Sequence, residues 1–147
     1  MSSAETTENT RNQMFTNYDS GVVFPRIEQT ESGNFTNDTY DDVTLLGGTI
    51  MGRVSATGDL VPLASGATDG SQYPVGALMQ PLIIEAGNEA TITIVTEGEI
   101  DQNKIILDGS DTLQTVISGR QLRDRINGDT LGLKITYVDE LSGYDNQ

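Results

Sequence analysis

The sequence predicts a mostly β protein: a small β-barrel or sandwich-like domain with one short helical segment and a flexible N-terminal arm. Three observations carry this. From Val43 to Asp101, short β-type runs alternate with glycine-bearing turns. Strands spaced every ~8–12 residues with turns between them indicate a barrel or sandwich. Helical periodicity surfaces once, after Asp111. Finally, residues 1–20 are almost wholly polar, with Met14 and Phe15 the only large apolar residues before Tyr18. Such a segment buries too little apolar surface to offset its ordering entropy. The division expected is an arm over residues 1–40 and a β-rich domain over 41–147.

Taken in order, Gly21-Val22-Val23-Phe24-Pro25-Arg26-Ile27 is the first apolar cluster. Pro25 has no N–H to give a ladder, which suits an edge strand or an extended arm. An apolar island between polar stretches reads either as an edge strand of the domain or as a docking arm that adds to a partner's sheet. On the second reading the docking residues are Val22, Val23, Phe24, Pro25 and Ile27. Residues 28–42 are polar again, with Ser32-Gly33-Asn34 as a turn signal. Val43–Leu46, Thr49–Val54, Leu60–Leu63, Val75–Met79, Leu82–Glu85 and Ala90–Thr96 follow as strands, with Lys104–Leu107 as a further short run. Asp111 then offers a helix cap answered by Gln114, and Leu113, Val116, Ile117, Leu122 and Ile126 keep helical spacing. Gly119 weakens the middle, so that one helix, a broken helix or two short ones all fit, and Asn127-Gly128 is the stop. Leu131–Val138 is a last strand, with Leu131, Leu133, Ile135 and Tyr137 on one face.

At 147 residues the chain is one domain with a tail, long enough for a core without staples. Cysteine, histidine and tryptophan are all absent. That removes disulfides, thiolate nucleophiles, the commonest metal ligand and the commonest general base. The net charge is −14, from 22 acidic and 8 basic residues. A chain this acidic repels nucleic acid and anionic membranes and favours solubility or a partner of opposite charge. No run approaches a membrane span, and the start has no secretory pattern, so a soluble protein made in a cytoplasm is expected.

The search for chemistry proceeds by elimination. Thr68-Asp69-Gly70-Ser71 and Asp108-Gly109-Ser110-Asp111 resemble pieces of calcium loops but lack the carboxylate spacing closed by a glutamate, so both read as turns. Glu97, Glu99 and Asp101 alternate along a strand end. They could in principle serve acid–base work, but a solvated edge that resists aggregation is the simpler role. Gly47-Gly48-Thr49-Ile50-Met51-Gly52 lacks the Lys-Ser/Thr and the helix of a phosphate loop. Without histidine no Ser-His-Asp site can form. Neither the Asp- and Tyr-bearing motifs nor the glycine-rich C-terminal arm of dUTPases is recognisable. No cofactor, metal site or catalytic residue is expected. Arg120, Arg123 and Arg125 read as a solvated helix face or as a contact with an acidic neighbour.

Val43-Thr44-Leu45-Leu46-Gly47-Gly48-Thr49-Ile50-Met51-Gly52-Arg53-Val54, then Asp69-Gly70-Ser71, Val75-Gly76-Ala77-Leu78 and a strand ending Thr96-Glu97-Gly98-Glu99-Ile100, follow one another in order. This succession resembles the lambda-type head decoration (capsid cement) proteins of tailed bacteriophages. The resemblance implies a compact, mostly β, non-enzymatic virion protein that forms homotrimers. It implies binding to the major capsid protein on the outer surface of the expanded shell, at threefold and quasi-threefold positions, against the pressure of packaged DNA. It implies an N-terminal arm that orders on the shell and extends a sheet of the capsid protein; the arm here is longer than is usual in the family. Two rivals stand beside it. One is a small β-sandwich module binding a glycan or another virion component, disfavoured by the scarcity of Trp and Tyr. The other is an enzyme using Glu97, Glu99 and Asp101.

Overall fold

The computed structural model describes residues 23–128 and 131–136. Among the described residues there are ten strands: β1 (Arg26–Thr36), β2 (Val43–Leu45), β3 (Ile50–Arg53), β4 (Leu60–Pro62), β5 (Pro74–Leu78), β6 (Leu82–Ile84), β7 (Glu89–Asp101), β8 (Val116–Ile117), β9 (Arg120–Gln121) and β10 (Gly132–Thr136). A 3₁₀ turn (Gln102–Lys104) and a short helix, α1 (Leu122–Ile126), accompany them. No helix among the described residues is long and apolar enough to cross a membrane.

The main sheet runs β1-β7-β5-β3-β4, with β10 added alongside β7. All its pairs are antiparallel except β10 with β7, which is parallel. The 13 residues of β7 make it the spine. One side of it carries all of β1; the other carries β5 at Ile94–Val95 and β10 from Glu97 to Asp101. Its sequence explains the length: Ile92, Ile94 and Val95 are β-branched residues suited to a pleated surface buried on both sides.

Consecutive residues of the central strands point to opposite faces, and each face has its own core. Ile50, Ala77 and Val95 join Val23, Phe24, Leu63, Ile117, Leu122, Ile126 and Leu133 on one side. Met51, Leu78 and Ile94 join Phe35, Leu45, Leu60, Ile84 and Ile92 on the other. The first core is covered by α1, the β8–β9 hairpin and the Val23-Phe24 pair. The second is covered by the two-stranded β2–β6 layer.

Along β7, Ile94 belongs to one core and Ile100 to the other, although both are even-numbered. The switch coincides with register shifts at Ile27/Gln29 and Gln29/Thr30 opposite residues 95–98. A bulge inserts an unpaired residue and so exchanges the faces beyond it. Gly98 makes it possible: its φ is +140°, and a Cβ there would run into the carbonyl oxygen of Arg26.

The sheet is sandwich-like and does not close into the barrel offered as an alternative. Its two edges, β1 and β4, approach at one end. There Asn34 and Thr36 donate weakly to Asp59 at 3.4 Å, and Leu60 lies against Gly33. No backbone ladder joins the edges among the described residues.

Two expectations are corrected. Ser32-Gly33-Asn34 is no turn but part of β1, because seven consecutive pairings, from Thr30 opposite Val95 to Thr36 opposite Glu89, override a local signal. Gly33 serves packing instead, since a Cβ there would sit 2.5 Å from Leu60 Cδ1. Lys104–Leu107, the further short apolar run, joins the fold through a bridge from Ile106 to Thr49.

The second correction concerns residues 111–121, which are not helical. Asp111 does not cap a helix; it accepts from the Ser65 hydroxyl at 2.6 Å and from the Ser65 amide at 3.3 Å. Val116–Ile117 and Arg120–Gln121 pair as a hairpin around Ser118-Gly119. Both turn residues have positive φ, +50° and +85°, as a two-residue type I′ turn demands. The helical spacing of Leu113, Val116 and Ile117 was coincidental; only Leu122 and Ile126 share a helix.

Candidate interaction surfaces

The apolar island separates in the structure. Val23 and Phe24 are 5% and 2% exposed and belong to the core under α1. Pro25 is exposed, and Ile27 is 38% exposed. Val22 lies outside the described residues. Residues 23–40, assigned to the arm by sequence, therefore include three core residues, Val23, Phe24 and Phe35, and the whole of β1. Val23 and Phe24 are packed into the domain, which leaves Pro25 and Ile27 as the exposed members of the group among the described residues.

β1 is an edge strand. Its residues from Arg26 to Ser32 are all exposed, and Arg26 bridges Glu28 at 3.0 Å and Glu99 at 3.5 Å. These are exposed pairs of small energetic weight. They place charge on an otherwise open edge, a device that discourages indiscriminate pairing.

The acidic run does not converge. Glu97 is exposed and Glu99 half-buried, whereas Asp101 is 4% exposed and accepts from the Asn103 amide at 3.0 Å to cap the 3₁₀ turn. No group of three or more carboxylates able to hold a metal forms among the described residues.

The Asp69 loop is a self-contained turn. Its Oδ1 accepts from the Ser71 hydroxyl at 2.6 Å and the Ser71 amide at 3.0 Å. The hydroxyl first, and the amide second, hold its pKa below the ordinary carboxylate range. The other Asp-Gly-Ser run closes through Asp111 N–H to the Asp108 carbonyl at 3.3 Å.

Two side chains escaped sequence reasoning. Arg125, 8% exposed, turns inward from α1. Its Nε and Nη2 donate to the Ile117 carbonyl at 3.0 and 2.7 Å, and Nη2 reaches Ser118 O at 3.5 Å. Its guanidinium lies 5.0 Å from the centre of the Tyr73 ring. Tyr73 meets the Ser118 hydroxyl at 2.9 Å; that bond first and Gln72 second lower its pKa, burial partly offsets them, and the Arg125 charge adds the smallest lowering. The cluster thus ties α1, β5 and the hairpin together. Among three arginines of similar spacing, sequence alone had no signal for which one turns inward.

The second is Asn37, 1% exposed at the end of β1. Its Nδ2 donates to Asp41 O at 2.9 Å and Ile84 O at 3.0 Å, and its Oδ1 accepts from the Thr39 amide and hydroxyl. The loop it organises presents Tyr40, which is fully exposed. Elsewhere, Leu46 and Val116 are 48% and 60% exposed. Leu46 borders a shallow apolar recess of about 280 Å³ shared with Val43, Pro62, Ile106 and Leu107.

Strands and turns thus account for the conspicuous polar motifs among the described residues, and the fold is a mostly β scaffold. A family model described as bacteriophage lambda head decoration protein D matches residues 29–121, from within β1 to the end of β9. The match spans well over half of the chain, and the protein belongs to that family. The order of motifs quoted from residues 43 to 101 lies wholly inside it. No individual curated protein matches the sequence. A head decoration protein is a structural component of the virion on the outer surface of the capsid.

Proposed function

We propose that the protein assembles as a homotrimer at the threefold and quasi-threefold positions of the expanded phage head. There it binds the major capsid protein and holds the shell against the pressure of packaged DNA. Membership of the decoration family, with a match running through nine of the ten strands, carries this proposal. The charge supports it. A net −14 suits the outer face of a shell whose interior is filled with polyanion. In this proposal residues 1–22, continued by exposed Pro25 and Ile27, form the docking arm, and the core pair Val23-Phe24 anchors it. Three arms on one trimer convert weak single contacts into a durable attachment by effective concentration.

Native mass measurement tests the assembly. The expected species is three copies of the 15.8 kDa chain. A strict monomer at high micromolar concentration would contradict the proposal.

A further inference from the structure

At one pole of the molecule three loops gather: 37–42, the 85–89 turn between β6 and β7, and the β3–β4 turn. Hydrogen bonds on both main and side chains fasten them. Asn37 N–H donates to Asn88 O at 2.8 Å, and Ala86 N–H to the Asp42 carboxylate at 3.1 Å. Asn34 Nδ2 lies 3.4 Å from both Asp59 and Glu89. The pole carries Asp38, Asp41, Asp42, Asp59, Glu85 and Glu89; neither residues 34–42 nor residues 85–89 include a lysine or arginine, and the β3–β4 turn brings one cation, Arg53, whose Nη1 donates to the Gly58 carbonyl at 3.0 Å. Tyr40 stands in this acidic setting with its side chain fully exposed.

An isolated exposed apolar residue needs no explanation. Tyr40 differs in how it is held. The buried Asn37 uses both ends of its amide to fix the loop on either side of it: Nδ2 on the Asp41 and Ile84 carbonyls, Oδ1 on Thr39. Thr39 adds a bond from its hydroxyl to Asp41 O at 2.9 Å. A buried polar side chain is thus committed to shaping a loop whose tip is fully exposed among the described residues. Such a tip has met its ordering cost before binding, which raises the affinity it can deliver. Tyrosine is the residue type suited to the task, offering a large rigid contact area for few rotatable bonds and recurring at interface hot spots.

We propose that Tyr40 is a preorganised anchor that inserts into a recess on the capsid shell rimmed by Lys or Arg, with Asp38, Asp41 and Asp42 pairing with that basic rim. The inference rests on the capsid-docking proposal and adds to it a second attachment point on the folded domain, separate from the arm. The charge pattern selects the partner chemistry, because a surface of like sign would be repelled and an uncharged one would leave three carboxylates facing no counter-charge.

The test compares full-length wild type, Tyr40→Ala and the triple variant Asp38→Asn, Asp41→Asn, Asp42→Asn for binding to expanded capsids stripped of the protein. Binding is read by co-sedimentation at about 50 and about 200 mM salt. The Asn at position 42 keeps an acceptor for Ala86, and Tyr40 is fully exposed, so the thermal unfolding of both variants should match wild type. Tyr40→Ala should bind about 10- to 100-fold more weakly at both salts. The triple variant should lose affinity at low salt and approach wild type at high salt. If wild type binds and Tyr40→Ala binds equally well, the anchor is overturned and arm docking stands. If only the triple variant is unaffected, the basic rim is overturned. If wild type itself does not bind, capsid docking fails, and the anchor with it.

Discussion

Deleting residues 1–22 is expected to abolish binding to expanded capsids while leaving the domain folded. Among the described residues, the core begins at Val23, and Val23 and Phe24 are retained in the deletion. The β1–β7 ladder is likewise untouched, from Arg26 opposite Glu99 to Thr36 opposite Glu89. The unfolding midpoint in urea should therefore stay close to that of the full chain. Binding should fall by roughly 100-fold or more, because three arms are lost from each trimer at once and avidity multiplies the loss. Co-sedimentation with capsids, beside urea unfolding followed by circular dichroism, checks both halves. Undiminished binding by the truncated protein would remove the arm from the docking mechanism. A collapse of stability would show that the segment belongs to the fold.

The second large effect lies at Arg125. Arg125→Ala should destabilise the domain by about 3 kcal/mol, the sum of unpartnered carbonyls and lost packing. The Ile117 carbonyl would lose two donors and Ser118 O a weaker third. The face of Tyr73 would lose its cation, and a void would open between α1 and the hairpin. Arg125→Lys should recover only part of this, since one ammonium cannot reproduce a planar fork that spans carbonyls and ring together. The shift in urea midpoint at unchanged slope reads the effect. A change below about 0.5 kcal/mol for Arg125→Ala would mean the cluster is ornamental, within the ordinary range for surface substitutions.

How much of this was legible in the chain follows from where local signals and packing agree. The strands from Val43 to Ile94 were readable because alternation, β-branched residues and glycine turns point the same way, and both faces of the sheet are buried. The family resemblance was legible from the same stretch. The region 111–126 was not. Leu113, Val116, Ile117, Leu122 and Ile126 satisfy helical spacing by accident, and Asp111 is a plausible cap until Ser65, distant in sequence, claims its carboxylate. A turn of Ser118-Gly119 carries a weaker hairpin signature than Asn-Gly, so the period outweighed it. Ser32-Gly33-Asn34 failed for the opposite reason: a strong local turn signal yielded to a long ladder with β7.

Surface roles were the least legible. That Phe24 is core while neighbouring Pro25 is exposed depends on a tertiary contact with α1's side of the sheet that no spacing encodes. Asn37 looks like any loop asparagine; only its burial and its four bonds show that it shapes the Tyr40 loop. The turns at Asp69 and at Asp108 were legible, because the Asx-type bond at Asp69 and the main-chain bond that closes the Asp108 turn are local and need nothing from the rest of the fold.

The central claim is the place of this protein on the phage head, and electron microscopy of heads carrying it tests that claim most directly. The proposal predicts one trimeric density over each local threefold and quasi-threefold position on the outer surface, with the β domain fitting each lobe and an extended arm running onto the shell. Density at capsomer centres or at the tail vertex alone, or heads that bear none, would contradict it.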